Sequence, residues 1–502
     1  MKKKILFYFD SVFLNFFIAK AMKEQIDCEV YGISIANSDN AKQFFNSQDL
    51  LKIEELSFYT DHLSNPKKEP DIEYLKKIED KYDLNLWNIV YSDRRFYPQF
   101  NKFYKFTRQE ILLILEQAIK FFESVINRVK PDFFIVTGNY ALEDILLYEL
   151  CKAKGIIPFV IFTSRVGYRH LVSKKYDILE DSSHFQNIKY KTFQNLQTFL
   201  SKNNMYKRVE QIEIITPATK IEKFNALMKF LFLENTFINH YSNYGKTKWK
   251  TLLKGTAVNF FIKKKLYKKF VNKNFTKNII DSKFVFFALH FEPERSMLVG
   301  APFYPDQLEI IRKIAKSVPI EYKVYVKEHP QMLLSGWRSK SFYKEILKIP
   351  NARLIHPTVH PNEIYKKSSL VISINGTSSL EANIYGKPSI IFCDNSFSEI
   401  PSIIQIREIE ELPEKIKLVL NTTVEPEQVG SYITKLEHYS FDWDLDGMAK
   451  NLMIKFPYPG YLQHPKYPLV EMKNFYRDHK ELFKIAANEF CKNIEKEIEQ
   501  KI

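Results

Sequence analysis

Short, almost wholly apolar runs alternate along this chain with amphipathic stretches of helical period, and the alternation is interrupted once and then starts again. Apolar runs without polar alternation indicate strands that are covered on both faces, as in a parallel sheet flanked by helices. In the N-terminal part the pattern predicts strands 3–9, 29–34, 133–137 and 157–162 and helices 12–25, 108–129 and 141–154. We therefore expect a Rossmann-like domain in residues 1–234.

The same pattern returns in residues 281–455, where we expect a second Rossmann-like domain. It predicts strands 284–289, 322–327, 353–355, 370–374 and 389–393 and helices 305–316, 340–348, 361–367 and 378–386. Two domains also agree with the length of 502 residues, which exceeds what one ordinary core holds. In residues 471–502, lysine and glutamate alternate with apolar residues, so we expect residues 456–502 to form a C-terminal helical tail that packs back on the N-terminal half.

The segment between the two domains is strongly basic. Residues 235–280 contain 11 lysines and no aspartate or glutamate, so that only +4 of the net charge of +15 belongs to the rest of the chain. Within it, apolar residues recur every fourth position and lysines occupy the other faces: Val258, Ile262, Leu266 and Phe270 against Lys263, Lys264, Lys265, Lys268 and Lys269. This pattern predicts a basic amphipathic linker helix. An anionic membrane surface is the partner that it favours, and a solvated linker helix is the alternative.

Features that the sequence lacks argue against some partners and indicate the compartment. No nucleic-acid module surrounds the lysines, so nucleic acid is not expected. The four cysteines are far apart and form no CxxC pair, which favours a reducing compartment. Asp10 interrupts the first apolar run, which argues against a signal peptide. No apolar stretch reaches the roughly 18 residues that span a bilayer. We expect a cytoplasmic protein, soluble or peripheral at the inner face of the plasma membrane.

The strongest chemical signal is Tyr-Val-Lys-Glu-His-Pro at 325–330, where a predicted strand ends and Pro330 leads the chain out of the sheet. Open α/β sheets bind ligands at the carboxyl ends of their strands. Lys327 and His329 can both donate hydrogen bonds to a phosphate, and a nearby phosphate favours the cationic form of a histidine. The alternative is a surface loop with ordinary charges.

A second signal lies at 373–381, where a predicted strand turns at Gly376 and the hydroxyl residues Thr377, Ser378 and Ser379 open a helix. Free backbone N–H groups and the helix dipole make such a turn an anion site, although hydroxyl residues at a helix start also serve as N-caps. Glu381 is placed to accept hydrogen bonds from ribose hydroxyls, or only to interact with the helix dipole.

Further charged residues follow other predicted strands. Glu294 and Arg295 come after strand 284–289, and we expect them to face the cleft, whereas His290 beside Phe291 is expected to pack. In the N-terminal half, Glu143 and Asp144 start a helix beyond a strand, where either is a candidate base or nucleophile or a helix-dipole residue. Arg165 and Arg169 follow strand 157–162 and are candidates to bind an anionic sugar or acceptor, or are solvated.

The segments 289–295, 326–330 and 376–388 resemble the motifs of bacterial capsule and surface-polysaccharide biosynthesis proteins, a group that includes ulosonic-acid transferases. The resemblance covers mainly residues 281–395. It implies a GT-B fold, with two Rossmann-like domains whose parallel sheets face a central cleft. His329-Pro330 and Ser378-Ser379 are also similar to paired elements of bacterial sialyltransferases, which hold the CMP moiety there. The acidic motif of that group is not evident in this chain.

The resemblance implies a glycosyltransferase that moves a sugar from a nucleotide-activated donor, such as a CMP-linked ulosonic acid of the Kdo or sialic acid type, to a surface polysaccharide or glycolipid. GT-B enzymes offset the charge of the leaving group with helix dipoles and basic side chains, so we expect no metal and no cofactor. The alternatives are a nucleotide-sugar epimerase or a polyol-phosphate transferase of the same fold, and a non-catalytic glycan-assembly binding protein.

Overall fold

The computed structural model describes residues 2–500 except for several internal segments. These are 11–12, 36–38, 64–68, 98–99, 102–103, 139–140, 181–186, 204–220, 222–227, 229–256, 280–282, 331, 333–337, 446, 449–450, 453–455 and 457–465, and the side chains of 257–265 are also outside the description. Lys263, Lys264, Lys265, Val258 and Ile262 therefore lie outside the described side chains. Among the described residues, no helix has both the length and the hydropathy needed to cross a membrane.

The N-terminal domain is built on a sheet in the order β3-β2-β1-β4-β5-β6, in which β1 to β5 are parallel and β6 is antiparallel to β5. Its strands are β1 (Lys3–Phe9), β2 (Cys28–Ser34), β3 (Glu55–Phe58), β4 (Phe133–Val136), β5 (Ile157–Thr163) and β6 (Arg169–Ser173). Its helices are α1 (Leu14–Lys23), α2 (Asp39–Ser47), α3 (Ile72–Tyr82), α4 (Leu86–Tyr91), α5 (Arg108–Val129), α6 (Leu142–Ala153) and α7 (Phe193–Lys202), with 3-10 turns at Tyr59–His62 and Arg94–Phe96.

The C-terminal domain has an entirely parallel sheet in the order β9-β8-β7-β10-β11-β12. Its strands are β7 (Phe284–Ala288), β8 (Lys323–Lys327), β9 (Ala352–Ile355), β10 (Leu370–Ile372), β11 (Ser389–Ile391) and β12 (Ile403–Gln405). Its helices are α8 (Ala257–Asn274), α9 (Arg295–Leu298), α10 (Gln307–Ser317), α11 (Lys340–Leu347), α12 (Pro361–Lys367), α13 (Ser378–Ile384), α14 (Leu412–Leu420) and α15 (Pro426–Tyr439), with a 3-10 turn at Ile409–Glu411. The remaining elements are β13 (Phe441–Asp442), α16 (Leu469–Asp478) and α17 (Lys480–Glu499).

Both sheets reverse their strand order once, between β1 and β4 and between β7 and β10, as doubly wound sheets do. Each sheet is covered on both faces by apolar clusters. The start of α5 follows a local sequence rule, since it carries a capping box between Thr107 and Glu110. The predicted fold of two Rossmann-like domains, as in GT-B proteins, is confirmed.

The chain returns to the N-terminal domain earlier than the sequence predicts. Strand β13 pairs with β6 in antiparallel register, with Phe441 opposite His170. The two residues of β13 nevertheless lie within 281–455, the predicted C-terminal domain. The fully buried Trp443 then joins the core of the N-terminal domain. The chain thus joins the N-terminal sheet some 15 residues before the predicted domain boundary at 455, and an antiparallel strand of two residues leaves no periodic signal.

The C-terminal tail contains two helices, and both pack on the N-terminal domain. Helices α16 and α17 pack against α1, where Phe17 lies between the rings of Phe475 and Phe483 at centroid distances of 5.7 and 5.0 Å. Both helices belong to the core cluster that covers one face of the N-terminal sheet.

The described part of the basic segment contains a helix, α8, and its described buried side chains differ from the predicted stripe. Tyr267 and Val271 are buried against the C-terminal core, whereas Leu266 is 52% exposed. Beyond the helix, Thr276 donates to the Leu354 carbonyl at 2.8 Å and so attaches the segment to β9. The end of the predicted linker is therefore part of the C-terminal domain, and the spacing of four residues misplaced its apolar face by one position.

Candidate active site

The three motifs of the C-terminal half meet at one edge of its sheet. Strands β8, β7 and β10 are neighbours, so the segments after Lys327, after Ala288 and after Ile372 leave the sheet side by side. The gap between β7 and β10 is the point where the strand order reverses, which is where open α/β sheets bind ligands. The strand ends of β8 and β10 lie two strand spacings apart, or about 10 Å.

Lys327 is the last residue of β8, and it is buried with no counter-ion in the part of the chain that the structure describes. Its side chain is 6% exposed, and it makes no hydrogen bond or ion pair with any described residue. Burial lowers the pKa of Lys327 to about 8, although the neighbouring Glu328 raises it. An ammonium group that is removed from water in this way is stabilised by any anion that reaches it.

His329 lies two residues further along and is half-buried, with Phe291 at a ring-centroid distance of 6.1 Å. Burial, followed by the charges of Lys327 and Arg338, lowers the pKa of His329 to about 4. In the unliganded protein the imidazole is therefore neutral at pH 7. The cationic form that the sequence suggested needs a bound phosphate to stabilise it. Pro330 follows it, half-buried, at the point where the chain leaves the sheet.

Glu328, between Lys327 and His329, belongs to an ionic network that the sequence did not predict. Its carboxylate accepts from Arg338 Nε at 3.0 Å, from the Tyr343 hydroxyl and from the His329 backbone N–H at 2.8 Å. Arg338 also pairs with Glu292 at 2.5 Å. The network ties the loop after β8 to the loop after β7. No sequence motif indicated the pairing, since Arg338 stands ten residues away outside any predicted element.

His290 packs, as expected, and also shapes the anion turn. Its Nε2 accepts hydrogen bonds from the backbone N–H groups of Ile374 and Asn375, both at 3.1 Å. The proton of the ring is therefore on Nδ1, and burial lowers the pKa of His290 to about 3, which keeps the ring neutral. A Cβ at Gly376 would lie 3.1 Å from His290 Cε1, so this close approach favours glycine.

The turn after β10 exposes fewer hydroxyl groups than predicted. Ser379 is fully buried and its hydroxyl lies 2.8 Å from that of Ser373, so it stabilises the turn and is not open to a nucleotide. Thr377 occupies the N-cap of α13 without a side-chain capping bond. The backbone N–H groups of Thr377 and Ser378 donate to no described group. The donors available at this turn are therefore backbone N–H groups more than side chains.

Glu381, one turn into α13, is buried with one carboxylate oxygen, Oε2, that has no partner among the described residues. Burial raises the pKa of Glu381 to about 7, against a hydrogen bond from Tyr365 that lowers it. Buried polar atoms nearly always have hydrogen-bond partners, and an orphaned one indicates a missing water or ligand.

Arg165, which belongs to the N-terminal domain, contacts this turn of the C-terminal domain. Its guanidinium donates to the Asn375 carbonyl and pairs with Asp177, which is itself buried. Burial opposes the charge of Arg165, but Asp177 raises its pKa. Arg165 and Asp177 both have left-handed backbones, with φ of 66° and 61°, a conformation that non-glycine residues adopt mainly where surrounding contacts impose it. Asp177 had no signal in the sequence.

The two residues after β7 lie at the same domain boundary. Arg295 covers the ring of Tyr176 at 3.0 Å from its centroid, and Tyr176 belongs to the N-terminal half. Burial raises the pKa of Glu294, and the charge of Arg165 offsets only part of this rise. Arg169, by contrast, is not brought to this cluster. Its guanidinium binds the Ser440 hydroxyl at 2.6 Å and the Glu437 carbonyl at 2.7 Å, and so serves the attachment of β13.

The carboxylates of the N-terminal half form a buried cluster at the start of α6. Glu143 pairs with Arg95 at 2.6 Å, and Arg95 also binds Asp93 through Nε at 2.9 Å. Asp93 in turn accepts the Leu142 N–H at 2.9 Å, and Asp144 accepts the Ala141 N–H at 2.9 Å. Glu143 and Asp144 therefore support the helix start as well as lying at the carboxyl edge of β4. No group of three or more His, Cys, Asp or Glu among the described residues is arranged to hold a metal ion.

Residues 188–401 match the sequence profile of the capsule polysaccharide biosynthesis protein family. The resemblance that the motifs predicted is thereby confirmed. The match includes all three motif segments of the C-terminal half and leaves out residues 1–187, where Glu143 and Asp144 lie. No curated protein sequence is significantly similar to the chain.

Among solved structures, the chain is similar to the UDP-GlcNAc 2-epimerase of Methanocaldococcus jannaschii, with 15% identity over 88% of this chain and 100% of the other and a TM-score of 0.23. It is similar to KpsC of Thermosulfurimonas dismutans, a beta Kdo 2,7 transferase, with 13% identity over 70% and 87% and a TM-score of 0.30. The UDP-GlcNAc 2-epimerase of Neisseria meningitidis bound to UDP-GlcNAc shows 13% identity over 87% and 100% and a TM-score of 0.24. Similarities at this level identify neither a reaction nor a substrate.

Proposed function

We propose that this protein is a glycosyltransferase of capsule or surface-polysaccharide biosynthesis, which transfers a sugar from a nucleotide-activated donor to a glycan or glycolipid. A CMP-linked ulosonic acid is the donor that the likeness of His329-Pro330 and Ser378-Ser379 to the sialyltransferase elements favours, although the buried Ser379 hydroxyl leaves the contacts of this turn to backbone N–H groups. The observation that carries the proposal is the buried ammonium group of Lys327 at the carboxyl edge of the C-terminal sheet, which has no counter-ion among the described residues. The phosphate of the donor supplies the missing counter-charge.

The surrounding groups fit the rest of a nucleotide. The N–H groups of Thr377 and Ser378, which donate to no described group, are oriented donors for phosphate oxygens at a helix start. His329 is a second donor on the side of β8. The orphaned oxygen of Glu381 is an acceptor for a ribose hydroxyl. Arg165 holds the turn from the opposite domain, so donor binding and the relative position of the domains are coupled.

Calorimetric titration with CMP, CDP, UDP and GDP tests the donor site. Lys327→Met and His329→Ala should each weaken the best-binding nucleotide roughly ten- to hundredfold, the value of a hydrogen bond to a charged group. Lys323→Met is the matched control, since Lys323 lies at the opposite end of the same strand. Unchanged dissociation constants in both variants would show that the donor binds elsewhere.

Product analysis separates the proposal from its alternatives. With a glycan acceptor present, a transferase releases the nucleotide and extends the acceptor. Interconversion of the free nucleotide sugar would identify an epimerase instead, transfer of a polyol phosphate would identify the second alternative, and tight nucleotide binding without any product would identify a binding protein.

A further inference from the structure

Four aromatic side chains of the N-terminal domain form a continuous row at its surface. Trp87 and Tyr91 lie one turn apart on α4, with ring centroids 6.0 Å apart, and the row continues through Tyr97 and Phe100 at 5.6 Å each. Trp87 is 38% exposed and Tyr91 51% exposed, whereas Tyr97 and Phe100 are half-buried. Single exposed aromatics are common, but a contiguous exposed row indicates a binding surface.

One end of the row opens into an acidic depression. Its volume is about 530 Å³, and its lining residues are Glu79, Asp80, Asp83, Leu84, Asn85 and Trp87, with no lysine or arginine among them. Glu79 accepts the Leu86 N–H at 2.9 Å, which fixes the loop between α3 and α4. Asp80 and Asp83 are exposed, so their carboxylates are available to a ligand.

The other end of the row leads to the carboxylate cluster at the start of α6. The turn Arg94–Phe96 separates Tyr91 from Tyr97, and within it Arg95 pairs with Glu143. Asn101, next to Phe100, donates to the Arg95 carbonyl at 2.9 Å. The buried contacts of Asn101 and Arg95 therefore place the row next to the residues that the sequence proposes for acceptor chemistry.

We propose that this row binds the saccharide chain of the acceptor, and that the chain it takes is neutral or carries amino groups. The inference rests on the proposed function and adds a site and a ligand class to it. A pyranose ring has an apolar face of C–H groups that stacks on an aromatic ring, and hydroxyl groups at its edge that donate to carboxylates. The acidic rim repels polyanionic glycans, nucleic acid and anionic lipid.

The test is a titration of the full chain with chitohexaose, its fully deacetylated form and polysialic acid, followed by calorimetry. The first two should bind and the polyanion should not. Trp87→Ala combined with Tyr91→Ala should weaken binding by at least about tenfold, the value of one or two stacked rings, and Trp87→Phe with Tyr91→Phe should restore most of it. Tyr322→Ala is the control, since Tyr322 is an aromatic residue before β8 in the other domain.

Three outcomes overturn the inference. They are preferred binding of polysialic acid, equal affinity of the double alanine variant and Tyr322→Ala, and binding of none of the three saccharides. A concentration-dependent dimer that the double alanine variant abolishes would assign the row to self-association. Nucleotide titration of the same samples keeps the two proposals apart. Nucleotide binding without saccharide binding overturns the row alone, whereas saccharide binding at the row without any nucleotide binding overturns the donor site alone.

Discussion

The carboxyl edges of the two sheets both bury charged side chains, but they neutralise them in opposite ways. At the N-terminal edge, Arg95 lies between Asp93 and Glu143, and each carboxylate has a partner within the cluster. At the C-terminal edge, Lys327 has no ion-pair or hydrogen-bond partner among the described residues, although Glu328 beside it pairs with Arg338.

The difference separates charges that are neutralised within the fold from a charge that has no described partner. A buried ion pair satisfies its own charges, and removing one partner leaves an uncompensated charge. A buried charge without a partner destabilises the unliganded protein and is stabilised by an incoming counter-ion. In the proposed function the C-terminal edge binds an anion, whereas the charges of the N-terminal cluster are neutralised within it and leave open whether its carboxylates also take part in the reaction.

The largest expected effect tests whether the N-terminal cluster also has a chemical role. Glu143→Gln or Asp144→Asn should lower turnover by about 10²–10⁴-fold, the usual loss for a positioned acid or base, while donor affinity is retained. Glu149→Gln, on the same helix, is the control. If both single variants turn over at the normal rate, the two carboxylates serve only the start of α6.

Stability measurements test the comparison directly. Arg95→Met should lower the free energy of unfolding by about 3–5 kcal/mol, because it leaves Asp93 and Glu143 buried without their cation. Lys327→Met should leave the melting temperature unchanged or raise it, because it removes a charge that has no partner. Arg94→Met controls for the loss of an exposed arginine nearby. A large destabilisation by Lys327→Met would show that this residue does have a structural counter-charge.

The pH dependence of nucleotide binding gives a smaller effect. The pKa of Lys327 is lowered from 10.5 to about 8, and a bound anion raises it again. Affinity for CMP should therefore be constant just below pH 8 and fall by up to about tenfold per unit above it, as the unliganded lysine loses its proton. The same titration of Lys327→Met should be flat between pH 7 and 9. A parallel decline in wild type and variant would assign the titration to another group.

The weakest expected effect concerns the basic segment. Lys268 and Lys269 are exposed on α8, and each exposed lysine near an anionic surface contributes on the order of 1 kcal/mol. Replacing Lys263, Lys264, Lys265, Lys268 and Lys269 by Gln should release the protein from phosphatidylglycerol vesicles in a flotation assay, and rising salt should do the same for the wild type. Flotation that is insensitive to both changes would contradict a membrane contact through this segment.

Local patterns were sufficient for most of the regular elements. Strand β1 and helix α5 begin and end where the sequence predicted, and α12 does so too, with Pro361 at its first position. Buried parallel strands read as continuous apolar runs, and helix ends carry their capping residues with them, so both signals lie within a few neighbouring residues. The same locality located the three motifs at strand ends and so predicted that Lys327, His329 and the turn at Gly376 share one edge.

By itself, then, the sequence determined the two doubly wound domains, the order of the motifs and the residue types at the candidate site. Only the tertiary structure decided which of those residues are satisfied. The Ser379 hydroxyl is hydrogen-bonded within its own turn, and Arg169 binds the Ser440 hydroxyl next to β13. Arg165 donates to the Asn375 carbonyl of the other domain. Whether a charge has a partner depends on segments that are distant in the chain and are brought within a few ångströms by folding. No spacing along the sequence records that distance.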